Sequence, residues 1–526
     1  MISELVNFGR LARAGLVILR HGARVVPDRS RLPPPAQLAA RIADLIAPRP
    51  KPGSNPTRLS AAFTSLGPSY IKLGQFLATR DDIIGRELAQ DLAQLQDKLP
   101  PFPMNEAKEV IRAELGCPVE ELFEEFGPPV AAASIAQVHK ARVRDGAGGS
   151  TPVAVKVLRP GIRSRFRKDL DSFFMAARMV QAMHEPSRRL RPVAVVETLA
   201  RSVEIEMDLR MEAAAISEMA ENTARDEGFR VPKVDWTRSA EQVMTLEWIE
   251  GTPIADRQAL EKAGHDPKET GTLLIRSFLR HAMRDGFFHA DMHPGNLFVD
   301  AQGRIVAVDF GIMGRLGPME KRFLAEILYG FITRDYRRVS QVHFDAGYVP
   351  RHHSVEQFAQ ALRAIGEPLM DRAAEDISMA QLLGQLFRYT EVFDMQTQTQ
   401  LLLLQKTMVV VEGVARSLDP RLNMWNTAEP VVKEWMDSQF GMEGRLQEAA
   451  EGAGQVGHFV GEIPKLLGRA ERAATAFSHM AEEGLRLDGY TIERLAEAQA
   501  RRGRLSRIGI WIGAISLALI AISLLS

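Results

Sequence analysis

Residues 289–311 read HADMHPGNLFVDAQGRIVAVDFG, and this stretch decides how the middle of the chain folds. Asp291 and Asn296 are five residues apart, and Asp309 follows thirteen residues after Asn296, the interval that one short hairpin of strands needs. Phosphoryl transfer uses such a set, because one carboxylate orients or deprotonates the attacking oxygen while an amide oxygen and a second carboxylate hold divalent ions. We therefore predict Asp291 as the catalytic carboxylate and Asn296 and Asp309 as Mg²⁺ ligands. The alternative is an ordinary hairpin with solvated acids.

A second element, V-A-V-K at residues 153–156, alternates apolar residues with a period of two, which predicts a strand. Lys156 is then a strand lysine of the kind that contacts the α- and β-phosphates of a nucleotide in protein kinases. Glu206, Asp208 and Glu212 are candidates for its carboxylate partner, and we predict Glu212. A solvated edge lysine and a solvated helix face are the alternatives.

An alanine-rich stretch stands where a protein kinase carries a glycine-rich loop over the phosphates. Alanine still permits close approach of the backbone to phosphate, but its Cβ disfavours the left-handed conformations that glycine adopts. We predict a stiffer phosphate-contacting loop here, and a small-residue packing turn is the alternative. The residues of the stretch are Val130, Ala131, Ala132, Ala133, Ser134, Ile135, Ala136, Gln137 and Val138.

The sequence resembles the UbiB family of atypical kinases, also called the aarF-domain family. Residues 60–420 carry the resemblance through four motifs. These are K-x-G-Q at residues 72–75, the alanine-rich loop at 131–134, E-x-D at 206–208, and H-A-D-x-H-P-G-N at 289–296.

The resemblance implies an α+β, protein-kinase-like bilobal fold with an N-terminal helical extension laid across the cleft. It implies a phosphotransferase-type enzyme that binds ATP with Mg²⁺ and supports ubiquinone biosynthesis, as an ATPase more than as a kinase of protein substrates. Its partners would be membrane lipid or isoprenoid quinone intermediates and other ubiquinone-biosynthesis proteins. The implied adenine contacts are the backbone at Glu247 and Ile249, and the implied gating residues are Lys72, Gly74, Gln75, Glu206 and Asp208.

The sequence gives its own reason to doubt a peptide substrate. Kinases that are regulated by loop phosphorylation carry Arg before the catalytic Asp, whereas this chain has Ala290. No A-P-E motif and no long activation segment follow Gly311. A true protein kinase and a nucleotide-gated scaffold without catalysis stay open as alternatives.

Composition and the two ends of the chain bear on location. Sixty-six Lys and Arg balance 66 Asp and Glu, so a nucleic-acid surface is not expected. Residues 508–525 are uncharged and about 27 Å long as a helix, which predicts one membrane span. Arginines at 501–507 predict a cytoplasmic catalytic part at a bacterial inner membrane, with the mitochondrial inner membrane as the alternative. The N-terminus predicts a basic amphipathic helix, lying on a membrane surface or on the protein itself.

Proline clusters and changes in pattern suggest six segments. They are a basic segment with a linker (1–55), a helical extension with K-x-G-Q (56–125), a kinase-like N-lobe (126–250), a kinase-like C-lobe (251–425), a C-terminal helical region (426–504) and a membrane anchor (505–526).

Overall fold

The computed structural model describes residues 2–20, 59–78, 80, 84–92, 94–95, 99–144, 148–183, 191–370, 392–395 and 399–440. The chain divides into two units, residues 1–436 and 437–526. Of the second unit the structure describes residues 437–440, which end the last described helix. The segment 441–504, the linker at 21–55 and the expected membrane span at 508–525 lie outside the described residues. The six segment boundaries stay predictions.

An antiparallel sheet of four strands in the order β1-β2-β3-β5 carries the predicted lysine. Lys156 lies opposite Val138 on one neighbouring strand and Met244 on the other. The apolar residues that alternate with it, Val155 and Val157, are fully buried in a core with Ile111, because successive strand residues point to opposite faces. The strands are β1 (Glu125–Ala132), β2 (Ala136–Arg144), β3 (Ser150–Leu158) and β5 (Val243–Glu247).

A second set of short strands surrounds the catalytic loop. β8 and β9 form the hairpin predicted after Asn296, and β7 pairs with β10 so that His289 lies opposite Met313. The bounds are β4 (Phe229–Arg230), β6 (Thr252–Pro253), β7 (Phe287–His289), β8 (Leu297–Val299), β9 (Ile305–Ala307) and β10 (Met313–Arg315). The strand predicted around residues 153–156 and the hairpin predicted between Asn296 and Asp309 are confirmed.

Helices make up most of the remaining described chain, so the predicted α+β class is confirmed. Asp208 and Asp335 each begin a helix by accepting a backbone N–H with the side chain. The helices are α1 (Ile2–Arg20), α2 (Leu59–Leu66), α3 (Pro68–Ala78), α4 (Arg86–Leu92), α5 (Met104–Leu115), α6 (Val119–Leu122), α7 (Ile162–Met183), α8 (Pro192–Glu206), α9 (Leu209–Asn222), α10 (Arg257–Lys262), α11 (Pro267–Arg280), α12 (Pro318–Ile332), α13 (Tyr336–Asp345), α14 (Val355–Met370), α15 (Thr399–Leu418) and α16 (Met424–Phe440).

The N-terminal extension folds as separate short helices, α2 to α4. Gly67, with φ of 100°, breaks the chain between α2 and α3 in a conformation that favours glycine. Tyr70 packs edge-on between Phe63 of α2 and Phe173 of α7. The extension is thereby docked against α7, and α1 also contacts α7 and α2, with Ala14 buried. Of the two settings expected for the N-terminal helix, the structure contains the contact with the protein itself.

Residues 401–411 lie inside α15, with Leu404, Met408 and Val411 in the core. Among the helices that the structure describes, none is long and apolar enough to span a bilayer.

Candidate active site

The centre of the site is a cluster of one lysine and two carboxylates. Strand β3 presents Lys156, whose Nζ lies 2.7 and 2.9 Å from the two carboxylate oxygens of Glu212 on α9. The same Nζ is 3.6 Å from Asp309 Oδ1. Glu212 Oε1 also accepts the backbone N–H of Phe310 at 3.4 Å. The fold thus joins the three residues singled out from separate motifs, and the expected ion pair between Lys156 and Glu212 is present.

The charged groups in this cluster shift one another's pKa values. Burial disfavours the charged form of Lys156, but the carboxylates of Asp309 and Glu212 outweigh it and raise the pKa of the lysine. The Lys156 ammonium lowers the pKa of Asp309 to about 2. Burial raises the pKa of Glu212, and the Lys156 ammonium opposes that rise. At neutral pH the site therefore presents an ionised Asp309 next to a protonated lysine.

The catalytic loop holds Asp291 and Asn296 together. Residues Pro294–Asn296 form a 3₁₀ turn, and Asn296 Nδ2 donates to the backbone oxygen of Asp291 at 3.1 Å. The same Nδ2 is 3.4 Å from Asp291 Oδ2. Asp291 is exposed, whereas its neighbour Met292 is buried in the core. The carboxylate can therefore meet a substrate while the loop backbone is anchored.

His289 links the two acidic motifs, a role that the sequence did not indicate. Its Nδ1 accepts the backbone N–H of Asp291 at 3.1 Å, so the other nitrogen, Nε2, carries the proton and donates to the carbonyl of Asp309. The ring is buried and lies edge-on to Phe310, and burial lowers its pKa. A neutral imidazole thus fixes the backbone of Asp291 relative to that of Asp309.

Ala290, which replaces the arginine of regulated kinases, has a partner from far along the chain. The hydroxyl of Thr407 on α15 lies 3.1 Å from the backbone oxygen of Ala290 and 2.8 Å from that of Leu403 in its own helix. Thr407 is buried. The loop backbone is therefore supported by a helix that lies 117 residues away in sequence. The segment after Gly311 is short, as expected, because α12 begins at Pro318.

The alanine-rich stretch forms the end of β1, a tight turn and the start of β2. None of residues 130–138, all of which are described, has a positive φ, so the backbone avoids the conformation that would favour glycine. Val130 and Ala131 are exposed, whereas Ser134, Ile135 and Ala136 are buried.

Arg159 stabilises the turn between β1 and β2 through hydrogen bonds to backbone oxygens. Its guanidinium donates to the backbone oxygen of Ala133 at 2.8 and 3.1 Å and to that of Pro100 at 2.9 Å, and it lies over the ring of Phe102. Gln137 is fully buried. Its side-chain oxygen accepts the backbone N–H of Phe102 at 2.9 Å, and its side-chain nitrogen donates to the backbone oxygen of Phe102 at 3.3 Å. The side chain of Gln137 thus holds the segment that precedes α5. Phosphate contact by residues 130–138 stays a prediction.

The K-x-G-Q helix reaches the site through Lys72. Its ammonium forms an ion pair with Glu206 at the end of α8, and both side chains are largely buried. The charge of Lys72 also helps to lower the pKa of Asp309, and that of Glu206 helps to raise the pKa of Lys156. The extension and the central cluster therefore share one electrostatic environment.

Two other residues expected to gate the cleft have structural contacts. A Cβ at Gly74 would lie 2.3 Å from Leu95 Cδ1 and 2.7 Å from Phe63 Cδ2, so glycine allows α3 to pack closely. Asp208 caps α9, and both of its oxygens bind the Arg210 guanidinium, which lowers the pKa of the carboxyl. Gln75 is partly exposed. Gating by these three residues, and by Lys72 and Glu206, stays a prediction.

The expected adenine-binding segment leaves β5 at Glu247. The carboxylate of Glu247 forms an ion pair with Arg230 at 3.0 Å. The backbone N–H of Glu247 donates to the backbone oxygen of Lys233, and that of Trp248 donates to the backbone oxygen of Pro152. Ile249 is partly exposed where the chain leaves the strand. Adenine contact by the backbone here also stays a prediction.

A strand lysine paired with a helix glutamate, beside a loop Asp–Asn pair and the Asp of a D-F-G motif, defines a protein with a protein-kinase-like fold and a phosphotransferase type of site. Comparisons with known proteins agree. The model of the ABC1 atypical kinase-like domain matches residues 94–343, and that of the UbiB helical domain matches residues 362–423.

A relative described as "Probable protein kinase UbiB", from Marinobacter nauticus, is 40% identical over 449 residues, 84% of this chain and 81% of the relative. A solved complex of Rv3197 with erythromycin, from Mycobacterium tuberculosis, is 26% identical with a TM-score of 0.47, covering 76% of this chain and 97% of that one. The chain belongs to the UbiB family of atypical kinases, as expected from its motifs.

Proposed function

We propose that this chain is an Mg²⁺-dependent ATPase or small-molecule kinase that supports ubiquinone biosynthesis at a membrane surface. The observation that carries the proposal is the cluster in which Lys156 is held between Glu212 and Asp309. A structural ion pair needs one carboxylate, whereas a nucleotide site needs a lysine for phosphates and a further ionised acid for a metal ion.

The residues present fit Mg²⁺, which prefers oxygen ligands. The Lys156 ammonium lowers the pKa of Asp309 to about 2, so the carboxylate of Asp309 is ionised at neutral pH and would hold the ion together with the side chain of Asn296. Because Nδ2 of Asn296 donates to the backbone oxygen of Asp291, the amide oxygen is the ligand atom that Asn296 would offer. When bound, Mg²⁺ would neutralise charge on the phosphates.

The remaining residues bind and orient the reactants. Lys156 would contact the α- and β-phosphates. The exposed carboxylate of Asp291 would accept a hydrogen bond from the attacking hydroxyl or water. It would take that proton as the new bond to the γ-phosphorus forms and the bond from this phosphorus to the oxygen of the leaving ADP breaks. His289 would keep Asp291 and Asp309 in fixed relation through its two backbone hydrogen bonds.

We infer that the substrate or cargo is an isoprenoid quinone intermediate in the membrane, handled together with other ubiquinone-biosynthesis proteins. Two features support this inference: the Lys72–Glu206 ion pair ties the extension to α8, and the segment between Asp309 and α12 is too short to form a peptide platform. The uncharged stretch at 508–525 would anchor the chain in a bacterial inner membrane, with the catalytic part in the cytoplasm.

The test is ATP hydrolysis by the purified full chain in detergent with Mg²⁺, with and without liposomes and a phenolic quinone precursor. Asp309→Asn is the test variant, and Asp345→Asn, an exposed surface change on α13, is the matched control. We expect turnover that rises with lipid, persists in Asp345→Asn and is lost in Asp309→Asn.

Two other outcomes would replace the proposal. Transfer of radiolabelled phosphate to a partner protein, abolished by Asp291→Asn, would make the chain a protein kinase. Normal quinone production in cells that carry only Asp291→Asn or Asp309→Asn would make it a nucleotide-gated scaffold.

A further inference from the structure

Two adjacent histidines and an aspartate converge at a point that the phosphotransferase site does not use. His352 and His353 lie in the loop between α13 and α14, and Asp394 lies in the described segment 392–395. Asp394 Oδ2 is 3.5 Å from His352 Nε2 and 3.3 Å from His353 Nε2. All three residues offer one ligand atom within 4.8 Å of the others.

The separations suit a shared metal ion better than direct ion pairs. His353 Nε2 and Asp394 Oδ2 are within hydrogen-bonding distance at 3.3 Å, but a charge-assisted N–H···O bond is about 2.7–2.9 Å long, which is shorter than either distance. Ligands that sit about 2.0–2.1 Å from a tetrahedral Zn²⁺ are about 3.3 Å apart, which matches both. The two imidazole rings lie 4.1 Å apart, so their nitrogens can face the same point.

The surrounding packing positions one ligand and leaves the others accessible. The ring of His353 is only 19% exposed, contacts Phe393 edge-on at 5.3 Å, and its backbone N–H donates to Pro350. Asp394 has φ of 49°, a left-handed conformation that aspartate tolerates better than most residues. Asp394 and His352 are 67% and 65% exposed, which leaves solvent access and room for water as a fourth ligand.

The ligand types indicate which ion would bind. Two imidazoles and one carboxylate favour Zn²⁺ among the common cellular ions, whereas Mg²⁺ prefers oxygen ligands alone. The expected ion therefore differs from that at Asp309.

We propose that His352, His353 and Asp394 form a zinc site that ties the α13–α14 loop to the segment at 392–395. Because the two segments are about forty residues apart in sequence, the bound ion would stabilise the folded chain relative to the unfolded one.

The test is binding of ZnCl₂ to the purified, chelator-treated full chain, measured by titration calorimetry. In a parallel experiment Co²⁺ replaces Zn²⁺, and its visible absorption reports the geometry of the site. Asp394→Asn and His352→Ala are the test variants, since asparagine also tolerates the left-handed backbone and His352 is exposed. His265→Ala, a partly exposed histidine outside both sites, is the matched control.

We expect one Zn²⁺ per chain and a rise in Tm on adding zinc to the unaltered protein and to His265→Ala, with the absorption of tetrahedral Co²⁺. In each test variant the affinity falls at least about tenfold, since even the loss of an outer partner of a zinc ligand has such an effect. Circular dichroism and the Tm of each zinc-free variant show that the variants are folded. Equal zinc affinity in all four proteins, or no binding by the unaltered chain, would overturn the proposal. Neither result depends on ATP turnover, so the proposed function is tested separately.

Discussion

Two lysine–glutamate ion pairs of similar burial flank the junction of α8 and α9. Lys156 and Glu212 are 17% and 8% exposed, and Lys72 and Glu206 are 12% and 22% exposed. The first pair lies beside Asp309 and joins a strand to a helix within the kinase-like domain. The second joins the N-terminal extension to α8. The same chemical pair thus belongs to the proposed phosphate site in one place and to a contact between segments in the other, because its neighbours differ.

The largest expected effect comes from Lys156→Met. Without the ammonium, Glu212 and Asp309 repel each other and the phosphates lose their cation, so we expect ATP turnover to fall by about 10²–10³-fold. Steady-state hydrolysis with Mg²⁺ measures it. Lys168→Met, at an exposed position on α7, should keep its activity. If both variants hydrolyse ATP equally, the first pair is also merely a contact between segments.

Gly74→Ala tests the close packing of α3, the helix that carries Lys72 of the second pair. The new methyl group would overlap Leu95 and Phe63, so we expect about 1–2 kcal/mol of destabilisation after allowing for the better helix propensity of alanine. Urea unfolding measures this change in the free energy of unfolding. Gly9→Ala, with no atom within 4 Å of its Cβ, should be neutral or slightly stabilising. A loss of stability at both positions would point to the helices themselves and not to packing.

A double-mutant cycle compares the two pairs directly. Lys72→Met, Glu206→Gln and their combination should give a coupling energy of about 1 kcal/mol in urea unfolding, and turnover should fall less than in Lys156→Met. The matching cycle on Lys156 and Glu212 should give a larger coupling, because Glu212 is more buried and binds through both oxygens. Equal coupling energies would remove the distinction between the pairs.

The smallest expected effect concerns a buried group that is kept neutral. Burial lowers the pKa of His343 to about 4, below its ordinary 6.5. Its contribution to stability is therefore complete above pH 6.5 and is lost as the pH falls toward 4, and about 1 kcal/mol should be gone at pH 5.5.

His343→Phe keeps an aromatic ring against Tyr348 and Phe358 and removes the titration. The difference in unfolding free energy between pH 7.5 and 5.5 should be about 1 kcal/mol smaller in this variant than in the unaltered chain. An unchanged difference would mean that the pKa of His343 is the same in the folded and the unfolded chain, so that burial does not disfavour its protonation.

The sequence predicted the central cluster because its members lie in local motifs whose spacing reflects the chemistry. Glu212 was predicted from three candidate acids, and the structure contains its ion pair with Lys156. His289, Arg159 and Thr407 were not predicted, since their roles arise from backbone oxygens that only the folded chain brings within reach. For the same reason, the packing role of Gly74 depends on Leu95 and Phe63, which no spacing connects to it.

The hydrogen bond from Thr407 to the backbone of Ala290 makes α15 part of the free-energy balance of the catalytic loop. Coupling between two sites is reciprocal, so whatever steadies the loop must steady the helix by the same increment. Local opening of α15 at Thr407 would therefore also free the backbone of the residue before Asp291.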